Sequence, residues 1–496
     1  MDVPEIRTQI GLYLDTSELN ACAKVCRSWY DTFFPLIWAD FEWQSDYSVY
    51  PQSKALEQNA RHIRYLRLTD HDRPAHFLDL CANLRDLVLM FAVHEHAQWD
   101  QISQLVHRNK KLFSINISTG GLTPTTGFIQ AVAQNESIKQ IEITFSEYDR
   151  SAVTALLDAG ARLETLSVIG AAFEDPGSMT RWQVSGGGFP RLKSLQMCAR
   201  AGITARHQFE LIQQCPQLDS LTWSEDSWTE SGQSFPTTEF CQMLTHNCPN
   251  LAVFELQIQS LTDKDLSRIL DSARRVTSFQ VFDTQFGPAA FQSLFRHFRY
   301  VTKLDLRRCP EVTSAMSQQI LESCPGLIEF FAGYLKVQDM KPEQEWVCTG
   351  LTSISLFICG LRDQPPEKQE AVLRQLAKLE RIESLTVGTF DPRDENSRDG
   401  LDLRLSVGLS ILEPVKELRW ICFDGLAQEM DETDLTWMVE TWPKLCRLEG
   451  KVHTERERRL ELQEILIDKG VALVGYMDDE EEEDEDIDLD AATNTD

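Results

Sequence analysis

Residues 301–325 read VTKLDLRRCPEVTSAMSQQILESCP and hold one complete structural unit of this 496-residue chain. Val301, Leu304 and Leu306 follow the spacing apolar-x-x-apolar-x-apolar. The last two alternate with polar residues, as one face of a short strand requires. The unit is therefore predicted to begin with a strand that buries one face.

A helix is predicted to follow the strand in the same unit. Its apolar face consists of Met316, Ile320 and Leu321. Another unit has the same pattern, with an apolar face made of Leu266, Ile269 and Leu270. Thr313 and Asp263 precede these two faces at positions that suit helix caps.

The strand pattern recurs along most of the chain. Its copies begin at Ile63, Leu84, Leu112, Ile138, Leu163, Leu192, Leu218, Leu251, Val276, Val301, Leu327, Leu351, Ile382, Val415 and Leu445. Successive copies that start at residues 251, 276, 301 and 327 lie 25, 25 and 26 residues apart. A near-constant period of this length is typical of a solenoid with one strand and one helix per repeat. The predicted fold class is therefore α/β, a horseshoe of stacked repeats.

The unit at 301–325 resembles the cysteine-containing subclass of leucine-rich repeats. Its strand is followed by Cys309, a Val-Thr helix start and Cys324 before a proline. Cys215 and Cys248 also precede prolines. The resemblance implies that these four cysteines lie inside the solenoid as small buried side chains. Because the total of 13 cysteines is odd and no secretory signal precedes them, we expect no disulfide framework.

The chain is strongly acidic, with 48 Lys and Arg, 77 Asp and Glu, and a formal charge of −29. The last 20 residues hold 12 acids and no Lys or Arg, which leaves −17 for the other 476. Nucleic acids and anionic membranes attract the opposite charge, so we expect neither as a partner. Since no apolar run reaches the roughly 20 residues of a membrane span, we expect a globular protein of the cytoplasm or nucleus.

Residues 477–496 are predicted to form a disordered tail, because a run of like charges repels itself. Three roles remain open for this tail at the level of sequence. It is a solubilising segment, a lure for basic partners, or a mask over a basic patch on the solenoid.

Residues 1–43 do not follow the repeat and predict three short helices. The first helix has an apolar stripe made of Ile6, Ile10 and Leu14. Asp15 and Glu18 have the spacing of a capping box at the start of the second helix. So short a module buries little surface alone, and it needs a partner or the repeats to pack against.

The segment from Pro4 to Trp38 resembles an F-box. It has a Pro-Glu-Ile start, a Tyr-Leu-Asp helix end, a Leu-x-x-Cys-Ala helix, Val-Cys-Arg-x-Trp and a terminal Leu-x-Trp, although Val3 stands where the family usually has Leu. The resemblance implies a substrate receptor of an SCF-type cullin–RING ubiquitin ligase, in which the F-box docks on a Skp-type adaptor. The implied adaptor-binding residues are Pro4, Ile6, Ile10, Leu14, Leu19, Val25, Cys26, Trp29 and Trp38. The alternative is that the three helices only cap the open end of the solenoid.

A protein target is expected on the concave face, where residues between the buried apolar positions of each strand point. The predicted target-binding residues are Lys303, Asp305, Arg307, Arg308, Trp223, Glu255 and Arg419. Two roles are open for three of the tryptophans, either an aromatic anchor for the target or part of the core. These are Trp182, Trp223 and Trp228. Three stretches exceed the repeat length and are candidate binding loops, namely 171–190, 224–237 and 388–404.

We expect no enzyme activity, cofactor or metal, because no catalytic triad, phosphate-binding loop or zinc box is present in the sequence. His94 and His96 alone do not make a metal site. The predicted organisation is an F-box at 1–43, a solenoid at 44–476 and the tail at 477–496, monomeric within a ligase complex. The alternative function is a repeat protein whose tail binds basic partners such as histones, or a scaffold similar to activators of the Ran GTPase.

Overall fold

The computed structural model describes most of the chain. The described ranges are residues 3–43, 53–69, 79–90, 96–118, 124–144, 159–169, 188–199, 205–225, 235–341, 344–362, 364–388, 399–426 and 428–474. The predicted tail at 477–496, Trp182, Trp228 and His94 lie outside these ranges. Most of the stretches 171–190, 224–237 and 388–404 lies outside them as well.

The chain divides into two compact units. The first comprises residues 1–261 and 268–276, and the second comprises 262–267 and 277–496. Within each unit every described strand pairs in parallel with the next one along the chain. Short parallel strands joined by helices and turns are the leucine-rich-repeat fold, so the predicted α/β class is confirmed.

The first unit opens with three short helices, α1 Pro4–Gly11, α2 Thr16–Ala23 and α3 Arg27–Ile37. Its described strands are β1 Asp40–Trp43, β2 Tyr65–Leu68, β3 Asp86–Leu89, β4 Ser114–Ser118, β5 Gln140–Thr144, β6 Thr165–Ile169, β7 Ser194–Ala199, β8 Ser220–Glu225 and β9 Val253–Gln257. The helices between them are α4 Ser53–Asn59, α5 His96–Arg108, α6 Thr126–Gln134, α7 Ala205–Ile212 and α8 Thr237–His246. Short 3₁₀ helices lie at Ala60–His62 and Ala159–Arg162.

Helix α9, Asp263–Ser272, has residues in both units. The described strands of the second unit are β10 Ser278–Val281, β11 Lys303–Asp305, β12 Glu329–Lys336, β13 Ser353–Cys359, β14 Ser384–Thr386, β15 Trp420–Cys422, β16 Arg447–Glu449 and β17 Ala472–Val474. Its other helices are α10 Pro288–Phe295, α11 Ser314–Ser323, α12 Pro366–Ala377, α13 Glu432–Thr441 and α14 Arg456–Asp468. Short 3₁₀ helices lie at Val337–Asp339, Leu405–Val407 and Leu409–Leu412. In the part of the chain that the structure describes, no helix is both long and apolar enough to cross a membrane.

The parallel register aligns the apolar positions of successive strands into columns. In the first unit one column runs through Leu66, Leu87, Ile115, Ile141, Leu166, Leu195, Leu221 and Phe254. Its counterpart in the second unit runs through Phe279, Leu304, Phe330, Ile354, Leu385, Ile421 and Leu448. None of these side chains is more than 3% exposed, so the core positions predicted from the repeat are confirmed.

One repeat begins three residues later than predicted. The sequence pattern assigned Val415, Leu418 and Trp420 to the apolar positions, but β15 places Ile421 in the core column. The apolar triplet is therefore Leu418, Ile421 and Phe423, all of them buried. Trp420 consequently lies on the opposite face of the strand, half-buried. Both frames share Leu418 and satisfy the same spacing, so the pattern alone did not separate them.

A recurring turn precedes the strands of both units. In it, the first apolar residue of the unit donates its N–H to the carbonyl three residues earlier, as Leu218 does to Cys215 at 3.1 Å. Other units place Cys324 or Asn109 at the position of Cys215. The Cys-Pro recurrence in the sequence therefore reflects a small side chain that fits inside this turn.

Asn109 links two adjacent repeats from within the core. Its side chain is 1% exposed. Its Nδ2 donates to the carbonyls of Cys81 and Leu105 at 3.0 and 2.8 Å, and its Oδ1 accepts the N–H of Leu84 at 2.7 Å. In the next repeat Asn135 donates to the carbonyl of Asn109 at 3.0 Å. Buried backbone groups are thereby satisfied by side chains of the neighbouring repeat.

Asp263 caps a different helix from the predicted one. Its carboxylate accepts three backbone N–H groups at the start of α10, at 2.8–3.0 Å. Those groups belong to Gly287, Ala289 and Ala290. The start of α9 is instead held by Thr262 and Asp265, which bond each other reciprocally. The cap predicted at Thr313 is confirmed, since its hydroxyl accepts the N–H of Met316 at 3.3 Å.

We expect the Asn109→Ala variant to lose about 3 kcal/mol of unfolding free energy, because it leaves several buried backbone groups without partners. Urea denaturation followed by circular dichroism measures this. Asn83→Ala is the matched control, since Asn83 is exposed and makes a single bond to the carbonyl of Arg61. It should cost less than about 0.5 kcal/mol. Equal losses in the two variants would contradict the role assigned to Asn109.

The predicted burial of four cysteines is confirmed. Cys215, Cys248, Cys309 and Cys324 are free thiols and at most 6% exposed. Burial raises the pKa of Cys248 to about 12 and raises the pKa of the other three as well. Cys26 and Cys446 are exposed.

Native alkylation with iodoacetamide should therefore label Cys26 and Cys446 first, because the thiolate is the reacting form. Cys215 and Cys248 should react only after unfolding, as peptide mass spectrometry will show. Above pH 9.0, the usual thiol pKa, the unfolded chain loses protons that the folded thiols retain. The unfolding free energy should consequently fall as the pH rises from 9.0 towards about 12. Labelling of native Cys248 as fast as Cys26 would refute this account.

Candidate protein-interaction surfaces

The three N-terminal helices form a small module with its own core. Leu19, Ala23 and Phe33 are buried, and Leu14 and Trp29 pack against them. The Trp29 and Phe33 rings lie 5.4 Å apart between centroids. The predicted capping box is present at the start of α2. The Glu18 N–H donates to the Asp15 carboxylate at 2.8 Å, and the Asp15 N–H donates to the Glu18 carboxylate at 2.9 Å. The sequence therefore specifies these helices locally as well as through packing.

Gly11 of α1 faces side chains of α3. A Cβ at this position would collide with Leu36 Cδ1 and lie 3.1 Å from the Phe33 ring. Arg7, 4% exposed, ties the same two helices because its guanidinium donates to Ser28 Oγ at 2.7 Å. Glycine in a helix costs about 1 kcal/mol relative to alanine. Here the missing side chain leaves room for Leu36 and Phe33 of α3.

Large apolar side chains remain exposed on this module. We call them the N-terminal apolar surface, which consists of Val3, Ile6, Ile10, Leu12, Tyr13, Val25 and Tyr30. Their exposed fractions range from 43% for Ile10 to 87% for Tyr13. All seven lie within the first 30 residues, on one small module, and exposed apolar side chains gathered in this way are typical of protein interfaces.

The predicted adaptor-binding residues fall into two groups. The exposed ones are Pro4, Ile6, Ile10, Val25 and Cys26. The half-buried ones are Leu14, Trp29 and Trp38, whereas Leu19 is buried at 7% exposure. Leu19 lies in the module core and supports the surface from behind, which corrects its prediction as a contact residue. Sequence reasoning missed Leu12, Tyr13 and Tyr30, because apolar residues outside a helical stripe carried no signal of exposure.

The module continues directly into the first strand of the repeats. Strand β1 pairs in parallel with β2, and the N–H groups of Arg64 and Tyr65 both donate to the carbonyl of Ala39 at 2.9 Å. Trp38 stacks on Phe41 with ring centroids 6.1 Å apart. The repeat sheet therefore starts at Asp40, and the module is fixed to it.

In the second unit, Arg307 lies against an acid and an aromatic ring. Its Nε and Nη2 donate to the Asp305 carboxylate at 2.9 and 2.6 Å. Its guanidinium carbon lies 5.0 Å from the centroid of the Phe331 ring. Asp305 is only 7% exposed, so it orients Arg307 and offers little surface of its own. Lys303 pairs with Glu329 at 2.8 Å on the same face.

Two further cations lie over rings nearby. Arg308, in the left-handed backbone region at a φ of 55°, lies 5.1 Å from the Phe282 ring centroid. Lys336 lies 5.6 Å from the Tyr334 ring. We define the cation–aromatic patch as Phe282, Arg307, Arg308, Phe331, Tyr334 and Lys336. Left-handed backbone is unfavourable for arginine, so the structure holds Arg308 in place at an energetic cost.

The other predicted target-binding residues have partners of their own. Trp223 is 2% exposed, in edge contact with Phe209 and Phe240. Its prediction as an aromatic anchor is therefore wrong, because it occupies an apolar column of the strand register. Glu255 accepts a bond from Thr222 at 3.2 Å in the first unit. Arg419 is exposed and pairs with Glu383 at 3.4 Å.

Within the described ranges, no three His, Cys, Asp or Glu side chains lie close enough together to hold a metal ion. The N-terminal apolar surface offers apolar contacts, and the cation–aromatic patch offers cationic and aromatic ones.

No protein-family model and no curated protein matches the chain. Among solved structures it is similar to a leucine-rich-repeat protein of Leptospira interrogans at 12% identity, covering 85% of this chain and 97% of that one, with a TM-score of 0.38. A structure of the yeast Rad7–Elc1 complex is similar at 12% identity, covering 86% of both chains, with a TM-score of 0.43. An internalin of Listeria monocytogenes is similar at 13% identity, covering 85% and 92%, with a TM-score of 0.30. These likenesses concern the fold alone.

Proposed function

We propose that this protein is the non-catalytic substrate receptor of an SCF-type cullin–RING ubiquitin ligase. The observation that carries the proposal is the N-terminal apolar surface on a three-helix module with the sequence pattern of an F-box. In this function the module docks on a Skp-type adaptor, and the repeats hold a protein target.

The character of the N-terminal apolar surface supports docking over capping. A helical cap buries its apolar residues against the first repeat and leaves polar residues outside. Here Ile6, Ile10 and Val25 face away from the module core, each at least 43% exposed. Tyr13 and Tyr30 add aromatic rings with hydroxyl groups, and tyrosine is favoured at the centres of interfaces.

The rigid link between the module and the repeats also supports a receptor. The backbone bonds from Arg64 and Tyr65 to Ala39 leave no flexible linker between α3 and the sheet. An adaptor bound to the module would therefore keep a fixed orientation relative to the first repeats. A ligase needs such fixed geometry, because the target must be presented to a distant ubiquitin-conjugating enzyme.

The cation–aromatic patch is the proposed place of target contact. A guanidinium that lies over a ring can still donate the N–H groups of its own plane to a carboxylate, and Arg308 is the exposed arginine of this patch. Phe331 and Tyr334 are half-buried, so an arriving segment can complete their burial. This combination suits a target segment that carries acidic and apolar side chains together.

The Ile6→Asp/Ile10→Asp variant should bind a purified Skp-type adaptor at least about 100-fold more weakly, because it places charges in a desolvated interface. The matched control is Leu460→Asp/Ile467→Asp, which changes two residues of α14 that are somewhat more exposed than Ile6 and Ile10. The control should bind as the unmodified chain does. Titration by surface plasmon resonance measures both affinities.

Thermal unfolding of both variants checks that the module remains folded. Unchanged adaptor binding by the Ile6→Asp/Ile10→Asp variant would contradict the receptor proposal, because the N-terminal apolar surface would then not be the adaptor-binding surface. Leu19→Ala is unsuitable for this purpose, because its loss of binding would report on the module core.

The Arg308→Ala/Phe331→Ala variant should retain the adaptor but lose the proteins that accumulate on the receptor when the proteasome is inhibited. The reason is that it removes one cation and one ring from the cation–aromatic patch. Quantitative affinity mass spectrometry compares it with Arg381→Ala/Phe295→Ala, which alters an exposed arginine and an exposed phenylalanine of the same unit. Unchanged recovery of those proteins would place target contact elsewhere.

A further inference from the structure

A cavity of about 430 Å³ lies in the first unit, where the end of α3 meets the first repeats. Leu36 and Ala39 form its apolar side. Its polar side is made of Arg61, His62, Arg64, Asn83, Arg85 and Lys111. Its volume falls within the roughly 300–1,000 Å³ of small-molecule sites.

Four fixed positive charges surround this cavity in a chain whose net charge is −29. No Asp or Glu is among the lining residues. Among the described residues, Arg61, Arg64, Arg85 and Lys111 form no ion pair, whereas nearby Arg67 and Arg108 pair with Glu42 and Asp79 at 3.2 Å. All four side chains are exposed, and Asp86 interacts electrostatically with Arg85. The positive charges gathered in the cavity nevertheless outnumber this acid and favour the binding of an anion.

The protonation state of His62 reflects the positive charges around the cavity. Its Nε2 accepts a bond from Arg61 Nε at 3.2 Å, which requires a neutral ring. Burial lowers the pKa of His62, and the charges of Arg61 and Arg64 lower it further. The imidazole therefore stays uncharged among the cations.

The repeat architecture sets the spacing of two arginines. Arg64 and Arg85 occupy the same position before β2 and β3, and Arg85 N–H donates to the Arg64 carbonyl at 2.7 Å. Neighbouring strands lie about 4.8 Å apart, so the two side chains start from adjacent points on one edge. Guanidinium groups so placed can each donate two N–H groups to different oxygens of one phosphate.

We propose that this cavity, the Arg64–Arg85 pocket, binds a phosphate group carried by a ligand. A lone carboxylate neutralises one positive charge, whereas a phosphate monoester or a polyphosphate neutralises several of the four positive charges in the pocket. Nucleic acid is a poor fit, because the surrounding chain is acidic and offers no continuous basic track. The phosphate can come from a free polyphosphate or from a phosphorylated side chain of a protein, and both share this chemistry.

Calorimetric titration of the full chain with sodium pyrophosphate, at constant ionic strength in chloride, tests the proposal. The Arg64→Gln/Arg85→Gln variant should bind pyrophosphate at least about 10-fold more weakly, since it removes two charge-assisted contacts. Arg274→Gln/Arg381→Gln is the matched control, with two exposed arginines outside the pocket, and it should stay within about 2-fold of the unmodified chain.

Two probes distinguish the source of the phosphate. Tighter binding of tripolyphosphate than of N-acetyl-phosphoserine amide indicates a free polyphosphate, and the reverse order indicates a phosphorylated protein. Equal affinity of the two double variants for pyrophosphate would overturn the proposal, as would no binding to the unmodified chain. Adaptor binding serves as an independent readout, because Arg64→Gln/Arg85→Gln leaves the N-terminal apolar surface intact.

Discussion

Each repeat of this protein is completed by the repeat beside it. A strand of three to eight residues cannot bury its apolar residues or satisfy its backbone alone. The parallel register supplies both needs at once, because it aligns apolar residues into buried columns and pairs each edge with the next strand. Asn109 and Asp263 extend the same constraint to side chains, since each satisfies backbone groups of a neighbouring repeat. The sheet, the turns and the helix starts all follow from this dependence.

The same constraint explains where the two candidate surfaces lie. The face of each strand that points into the core is committed to packing, so recognition residues are restricted to the opposite face and to the ends of the array. Arg307 and Phe331 occupy that opposite face in adjacent repeats. The N-terminal helices end the array at β1, where they leave their own apolar side unpaired. The apolar columns of the described strands thus lie in the core, whereas the residues of the N-terminal apolar surface remain exposed.

The period of apolar residues predicted most of the fold, because one spacing fixes both the burial and the register of a strand. The period gave the wrong apolar triplet at Trp420, because two sets of residues satisfied the same spacing. It did not predict β1, because no copy of the pattern precedes this strand. Side-chain bonds between repeats were harder to predict, since Asp263 has the local sequence of a cap for α9 and the geometry of a cap for α10. The candidate surfaces were predicted in part. The F-box pattern indicated Ile6 and Ile10, but it did not distinguish exposed residues from Leu19 in the core.

The last described strand, β17, pairs with β16 on one side and has no strand on the other among the described residues. Interior strands are held from both sides, so opening one requires two interfaces to separate, whereas opening β17 requires one. In a linear array, fraying therefore starts at such an end and proceeds inward repeat by repeat. At this end Leu462, Leu466 and Val471 are buried, whereas Leu460, Ile467 and Val474 are exposed. The second unit should consequently exchange its amide hydrogens along a gradient, fastest at the C-terminal repeat.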